Sequence, residues 1–202
     1  MAQTPTAEDT ARGWVARVRA EQHAVSVPLI VVGAAVLVEA VLAVFRLPAA
    51  VFWEPSLQVM SRPLSALLPA LTFTVLWSVM RAARARTGLG RARQGYGVAL
   101  LVVLAVVVMV PVASFFLGPL ALLGLGLVIL GWRGRERVLW LTGLGLAVLS
   151  PWATLGTFEN RARFLGPAPT PVVLSVTGLV VLGLGVHHLR AERRALAGSP
   201  TP

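Results

Sequence analysis

Glu39 is the one acidic residue set inside an apolar run, the stretch 24–45, and Arg46 follows seven residues later on the same helical face. A carboxylate in that position has two chemistries open to it. It can carry a proton, a cation or a polar substrate across a hydrophobic layer, or it can take a partner and fasten its helix to a neighbour. Counted from the outer end of the run, Glu39 lies about 9 Å deep at 1.5 Å per residue. An unpaired charge at that depth is expensive, and Arg46, two turns outward, can reach toward it through water. Fastening is the preferred reading, and a proton, ion or substrate site is the second.

Neutral polar side chains widen the set. Thr72, Ser114, Ser150, Thr154 and Ser175 fall in the outer half of the predicted bilayer, while the inner half holds Ser26, Ser78 and Thr142. Pro151 frees a backbone carbonyl one turn earlier in its helix. With Glu39 and Arg46, the outer hydroxyls make a candidate intramembrane polar site: a pocket open to the outside, with Glu39 in its wall. The plainer account, preferred here, has serine and threonine bonding within their own helices or joining neighbours.

Other motifs carry less. The pairs Gly124/Gly126, Gly143/Gly145 and Gly183/Gly185 lack the strand–turn–helix setting and third glycine of a dinucleotide site, and read as close helix packing. His23, His187 and His188 sit at the inner ends of helices without a carboxylate cluster, so neither metal nor haem is expected. Glu54, Glu159 and Asn160 lie outside near Arg161 and Arg163, as solvated ion pairs. There is no cysteine, which excludes disulfide exchange, thiolate nucleophiles and cysteine metal sites. No serine–histidine–aspartate set, carboxylate pair or phosphate loop assembles at one depth. No cofactor is expected.

The elements that must position Glu39 are membrane helices. Of 202 residues, 56% are hydrophobic and 13% charged, where a soluble domain carries about a quarter charged residues. Six apolar segments follow one another: 24–45, 63–80, 97–116, about 120–132, 138–157 and about 169–188. Pro69 is expected to kink the second. The stretch 97–132 as one helix would span about 54 Å, against a hydrocarbon core of about 30 Å. It must therefore fold back, at Leu117-Gly118-Pro119. The fold class is thus all-α: a polytopic integral membrane protein built as a six-helix transmembrane bundle over 24–188. A tail of 1–23 precedes it, with an amphipathic helix at 6–23, and a basic tail of 189–202 follows.

All 18 basic residues are arginine, which reads as the coding bias of a GC-rich bacterial genome, and 8 acidic residues leave a net charge of +10. Fourteen arginines fall in alternate loops and at the termini: Arg12, Arg17 and Arg19; Arg81, Arg84, Arg86, Arg91 and Arg93; Arg133, Arg135 and Arg137; Arg190, Arg193 and Arg194. Only Arg46, Arg62, Arg161 and Arg163 fall on the other side. The positive-inside rule then places both termini in the cytoplasm of a bacterial plasma membrane. Trp14, Trp77, Tyr96, Trp132 and Trp140 mark the inner interface, and Trp53 and Trp152 the outer. The outer segment 46–62 is apolar enough to lie in the interface.

A short repeat links Pro111-Val112-Ala113-Ser114 and Leu117-Gly118-Pro119 to Pro151-Trp152-Ala153-Thr154 and Leu165-Gly166-Pro167. If it is a duplication, segments three–four and five–six are hairpins of one design.

The composition implies as partners a bilayer with anionic headgroups, and another membrane protein or a second copy; it does not imply nucleic acid. The expectation is a non-enzymatic accessory or membrane-complex subunit. The alternative is a small transporter or channel using Glu39.

Overall fold

Chains of Leu, Val, Ala and Gly with few charges close their backbone hydrogen bonds internally, which in hydrocarbon leaves the helix as the open-chain solution. The computed structural model describes residues 25–46, 55–87, 95–109, 111–166 and 168–197, and these are helical with short connections. The amphipathic segment 6–23 and residues 47–54 of the outer segment lie outside the described residues.

The helices are α1 (Ser26–Phe45), α2 (Pro55–Thr87), α3 (Tyr96–Met109), α4 (Pro111–Gly134), α5 (Arg137–Thr154), the short α6 (Thr157–Arg161) and α7 (Pro169–Ala197), with a 3-10 turn at Arg163–Leu165. Among the described residues, four stretches are long and apolar enough to cross a membrane: Ser26–Phe45, Pro63–Ala83, Leu117–Gly134 and Pro169–Arg194. Tyr96–Met109 is apolar but shorter. The fold is that of a helical membrane protein with four such helices. Large apolar side chains face outward along the bundle, among them Leu101, Val148 and Leu179, while Leu29, Phe73, Leu76, Leu123 and Leu146 fill its interior.

Two antiparallel pairs form the most extensive contacts, α4 with α5 and α1 with α7. In the first, Gly124 and Gly143 face each other. A methyl group on Gly143 would lie 2.8 Å from the Val128 nitrogen, so the backbones touch where both side chains are absent. In the second, Gly33 lies against Leu182, and Gly178 against Leu37. A methyl group on Gly145 or Gly183, by contrast, would meet nothing within 4 Å among the described residues. Helix α2 bridges the pairs by packing on α1, α3 and α4.

The chain does fold back within 97–132. At Gly118 the backbone takes φ 73°, ψ 169°, a conformation open in practice only to glycine, and Pro119 begins the return. Gly95, just before α3, lies against the Arg133 side chain near the end of α4, so these two ends share one face of the bundle.

Several boundaries move. Helix α2 begins at Pro55 and runs through Pro63 and Pro69, so 55–62 extends the helix instead of forming a separate interfacial segment. Proline is well placed at the first position of a helix, where its missing N–H costs nothing. Helix α7 runs to Ala197, through Arg190, Arg193 and Arg194, into the stretch assigned as a tail. Helix α5 ends at Thr154, and Gly156 at φ 68° follows.

The duplicated-hairpin expectation meets a difference. Gly118 and Gly166, at matching places in the repeat, both have positive φ. Yet α5 and α7 do not pair with each other. Their partners are α4 and α1, chosen by where small residues allow close approach.

Helix α4 ends in a Schellman motif. The Glu136 N–H donates to the Gly131 carbonyl at 2.8 Å, and the Arg135 N–H to that of Trp132 at 3.2 Å. Arg135 occupies the left-handed position, φ 55°, where glycine is usual and a side chain costs about 1–2 kcal/mol. Gly134 stands one residue too early to relieve it.

Candidate functional site

Glu39 faces inward on α1, 2% exposed. Seven residues on, α1 ends at Arg46, whose backbone N–H donates to the Ala43 carbonyl and whose Nε donates to that of Leu42 at 3.3 Å. A cation at a helix C-terminus also complements the dipole there. From this capping position the guanidinium turns back along the helix, and Nη2 donates directly to Glu39 Oε1 as an ion pair. The expected bridge through water is a direct contact.

The third member comes from α2. Ser65, 4% exposed, places its Oγ 2.9 Å from Glu39 Oε1 and 2.7 Å from Oε2. A hydroxyl has one proton, so it donates to one carboxylate oxygen at a time. Arg46 Nη2 lies 3.4 Å from the same Oγ, which accepts from it. The carboxylate therefore gathers a donor from its own helix and one from the next. Burial of the two ions is unequal: the Arg46 side chain is 31% exposed and that of Glu39 3%, so the pair is open on the arginine side alone.

Ser65 was missed among the candidates. Its signal was its position near the start of the apolar stretch 63–80, which runs antiparallel to α1 and so sets Ser65 at the depth of Glu39. A second signal was Pro69, four residues on, which removes the N–H that would pair with the Ser65 carbonyl.

The other candidates do not join this cluster. Ser150, fully buried on α5, serves the break in α4: its Oγ accepts from the Ala121 N–H at 2.8 Å and donates to the Leu117 carbonyl. Those two backbone groups are stranded by Gly118 and Pro119, and one hydroxyl satisfies both. Thr154 Oγ1 donates to the Ser150 carbonyl at 2.9 Å and lies so close to Gly118 that no Cβ fits there. Thr72 Oγ1 donates to the Leu68 carbonyl at 2.7 Å, one turn back in its own helix. Ser175 is half-buried on α7 and belongs to neither cluster. The Ser114 side chain lies outside the described residues.

A further polar contact ties α1 to α7 at the opposite end. The start of α1 has no side-chain cap of its own. Ser26, fully buried, donates from both its backbone N–H and its hydroxyl to the Glu192 carboxylate. An acidic group from α7 thus caps the positive end of α1.

These contacts sort the bundle into two ends. Ser26 and Glu192 share one end. Gly97 packs on Trp77, and the Arg81 guanidinium stacks 5.2 Å from the centre of that ring. Gly95 meets Arg133. The antiparallel order then sets Glu39, Arg46, Ser65, Gly118 and Ser150 at the other end. Among the described residues no group of three or more histidine, cysteine or acidic side chains is placed to hold a metal. Comparison with protein-family models, curated proteins and solved structures returns no match.

Proposed function

We propose that this chain is a non-enzymatic multi-pass protein of a bacterial plasma membrane, an accessory or complex-forming subunit whose polar residues hold its helices together. The observation that carries this is the use made of Glu39. It is the only acidic residue within an apolar segment, and its carboxylate is taken up by Arg46 and Ser65 in the α1–α2 contact. Ser150 and Thr154, which a transport path would need as free hydroxyls, are engaged with the backbone of the α4–α5 hairpin.

Six crossings complete this reading. Four helices have the length and apolarity. The apolar stretch 97–117 and α5 supply the other two. The sharing of one end by Arg81, Arg133, the α4–α5 turn and the arginine-bearing end of α7 supports both termini lying in the cytoplasm. The outward apolar faces favour contact with lipid and with a partner subunit.

A small transporter or channel is the second reading. The partial exposure of Arg46 favours it, because water can approach the carboxylate from that side. The two are separated in proteoliposomes that hold the purified chain or its Glu39→Gln variant. The subunit reading expects proton and cation flux no greater than that of empty vesicles for both proteins. A flux that the natural chain supports and Glu39→Gln abolishes, with both inserted equally, would overturn it in favour of transport.

A further inference from the structure

The α4–α5 turn carries a groove of about 520 Å³ at the end of the bundle opposite Glu39. It is lined by Val128, Gly131 and Trp132 of α4, by Arg135 of the turn, and by Arg137 and Trp140 of α5. We infer that this groove binds an anionic phospholipid, with the phosphate on Arg135 and Arg137 and an acyl chain along Val128 and Gly131 between the two indole rings. The inference rests on the reading of α4 and α5 as membrane helices.

Three observations carry it. The first is the order of chemistry along the groove. Along α4 and into the turn the lining residues run Val128, Gly131, Trp132 and then Arg135, and α5 returns through Arg137 and Trp140. The apolar residue Val128 thus lies deepest in the bundle, the tryptophans come next and the arginines stand at the rim, which is the order of acyl chain, glycerol level and phosphate in a lipid leaflet. A soluble anion would use the rim and leave the rest idle. A nucleic acid would need a longer basic track than this turn offers.

The second is exposure. Trp132 is 80% exposed although α4 is among the most tightly paired helices. Arg133 is turned away toward Gly95, so it does not cover the ring. An indole left open at the mouth of an apolar groove fits a ligand that is itself amphiphilic.

The third is the backbone. Arg135 holds the left-handed position of the Schellman motif, which glycine would fill without strain. Its presence there is unfavourable for the fold and puts an arginine in the lining of the groove. Glu136 closes the motif through its backbone N–H and is not among the residues that line the groove.

Arg135→Gly is therefore an unusually clean variant: the turn keeps its geometry and the groove loses a charge. The full chain is placed in phosphatidylcholine nanodiscs. Brominated phosphatidylglycerol or brominated phosphatidylcholine is then titrated in, and tryptophan fluorescence is followed. Trp132→Phe in parallel assigns the quenched signal. We expect quenching at a lower mole fraction of the anionic lipid. Its preference should fall about fivefold for each of Arg135→Gly and Arg137→Gln, and melting of Arg135→Gly should be no lower than that of the natural chain.

Equal quenching by both lipids, or an unchanged preference in both arginine variants, would overturn the site. So would full competition by millimolar inorganic phosphate, which would identify a free anion as the ligand. If Arg135→Gly melts early, Arg137→Gln decides alone. Absence of quenching by either lipid would sink the membrane reading itself, which distinguishes that failure from failure of the groove.

Discussion

At the end of the bundle that holds Glu39, two polar clusters tie helices together by opposite means. In the α4–α5 hairpin the tie is neutral: Ser150 bridges the Ala121 N–H and the Leu117 carbonyl, and the glycines at 124 and 143 let the backbones meet. Between α1 and α2 it is charged: Glu39 accepts from Arg46 and Ser65 across a contact without facing glycines. The hairpin gains from dispersion along a long, close seam and needs a hydroxyl only where the helix is broken. The α1–α2 contact is looser, and among the described residues its polar tie is the Glu39–Arg46–Ser65 cluster. A neutral hydroxyl used by backbone has no further chemistry to offer, whereas a carboxylate with a half-open arginine keeps some. That is why Glu39, and not the more numerous hydroxyls, is the residue on which a functional test must turn.

The comparison is sharpened most by attacking the seam. Gly143→Leu forces apart backbones that have no room to give. We expect the hairpin not to form and the variant to be lost on detergent extraction. A yield and melting temperature matching the natural chain would show that the seam is not where the hairpin's stability lies.

Next in size is the charged tie. Arg46→Ala leaves the Glu39 carboxylate buried without its cation. Breaking a buried pair from one side costs about 3–5 kcal/mol, while replacing both members is often neutral. Because the Arg46 side chain is 31% exposed, the lower part of that range is expected for unfolding in micelles. The double variant with Glu39→Gln should recover most of the loss. If the single and double variants unfold alike, the pair is not coupled and Arg46 acts only as a helix cap.

The smallest effect belongs to Ser150→Ala. It strands the Ala121 N–H and the Leu117 carbonyl at the break, at about 1–3 kcal/mol for an unsatisfied buried group. The seam on either side should keep the hairpin assembled. A loss as large as that of Gly143→Leu would reverse the ranking and make the hydroxyl the hairpin's principal tie.

Much of this was legible beforehand because it depends on local chemistry. Hydropathy marked the helices. Leu117-Gly118-Pro119 marked the reversal, since only glycine adopts the backbone found at Gly118 and proline suits the first turn of the helix that returns. The seven-residue spacing of Glu39 and Arg46 put both on one face. Partner identities were harder. Ser65 and Glu192 lie 26 and 166 residues from the groups they bind, and no local pattern names such a pairing. The repeat shows the same limit: Gly118 and Gly166 both take positive φ, yet the helices that follow pack on different neighbours.

By itself the sequence determined that the chain is a set of apolar helices, where the chain reverses, and that one carboxylate stands among them. These follow from transfer free energy and backbone sterics, which act over a few residues. The tertiary structure alone decided that Glu39 meets Ser65, that Ser150 mends the break in α4, and that Arg135 stands over a groove between two tryptophans. Such pairings depend on which small residues let two helices approach, and that is a property of two distant surfaces together.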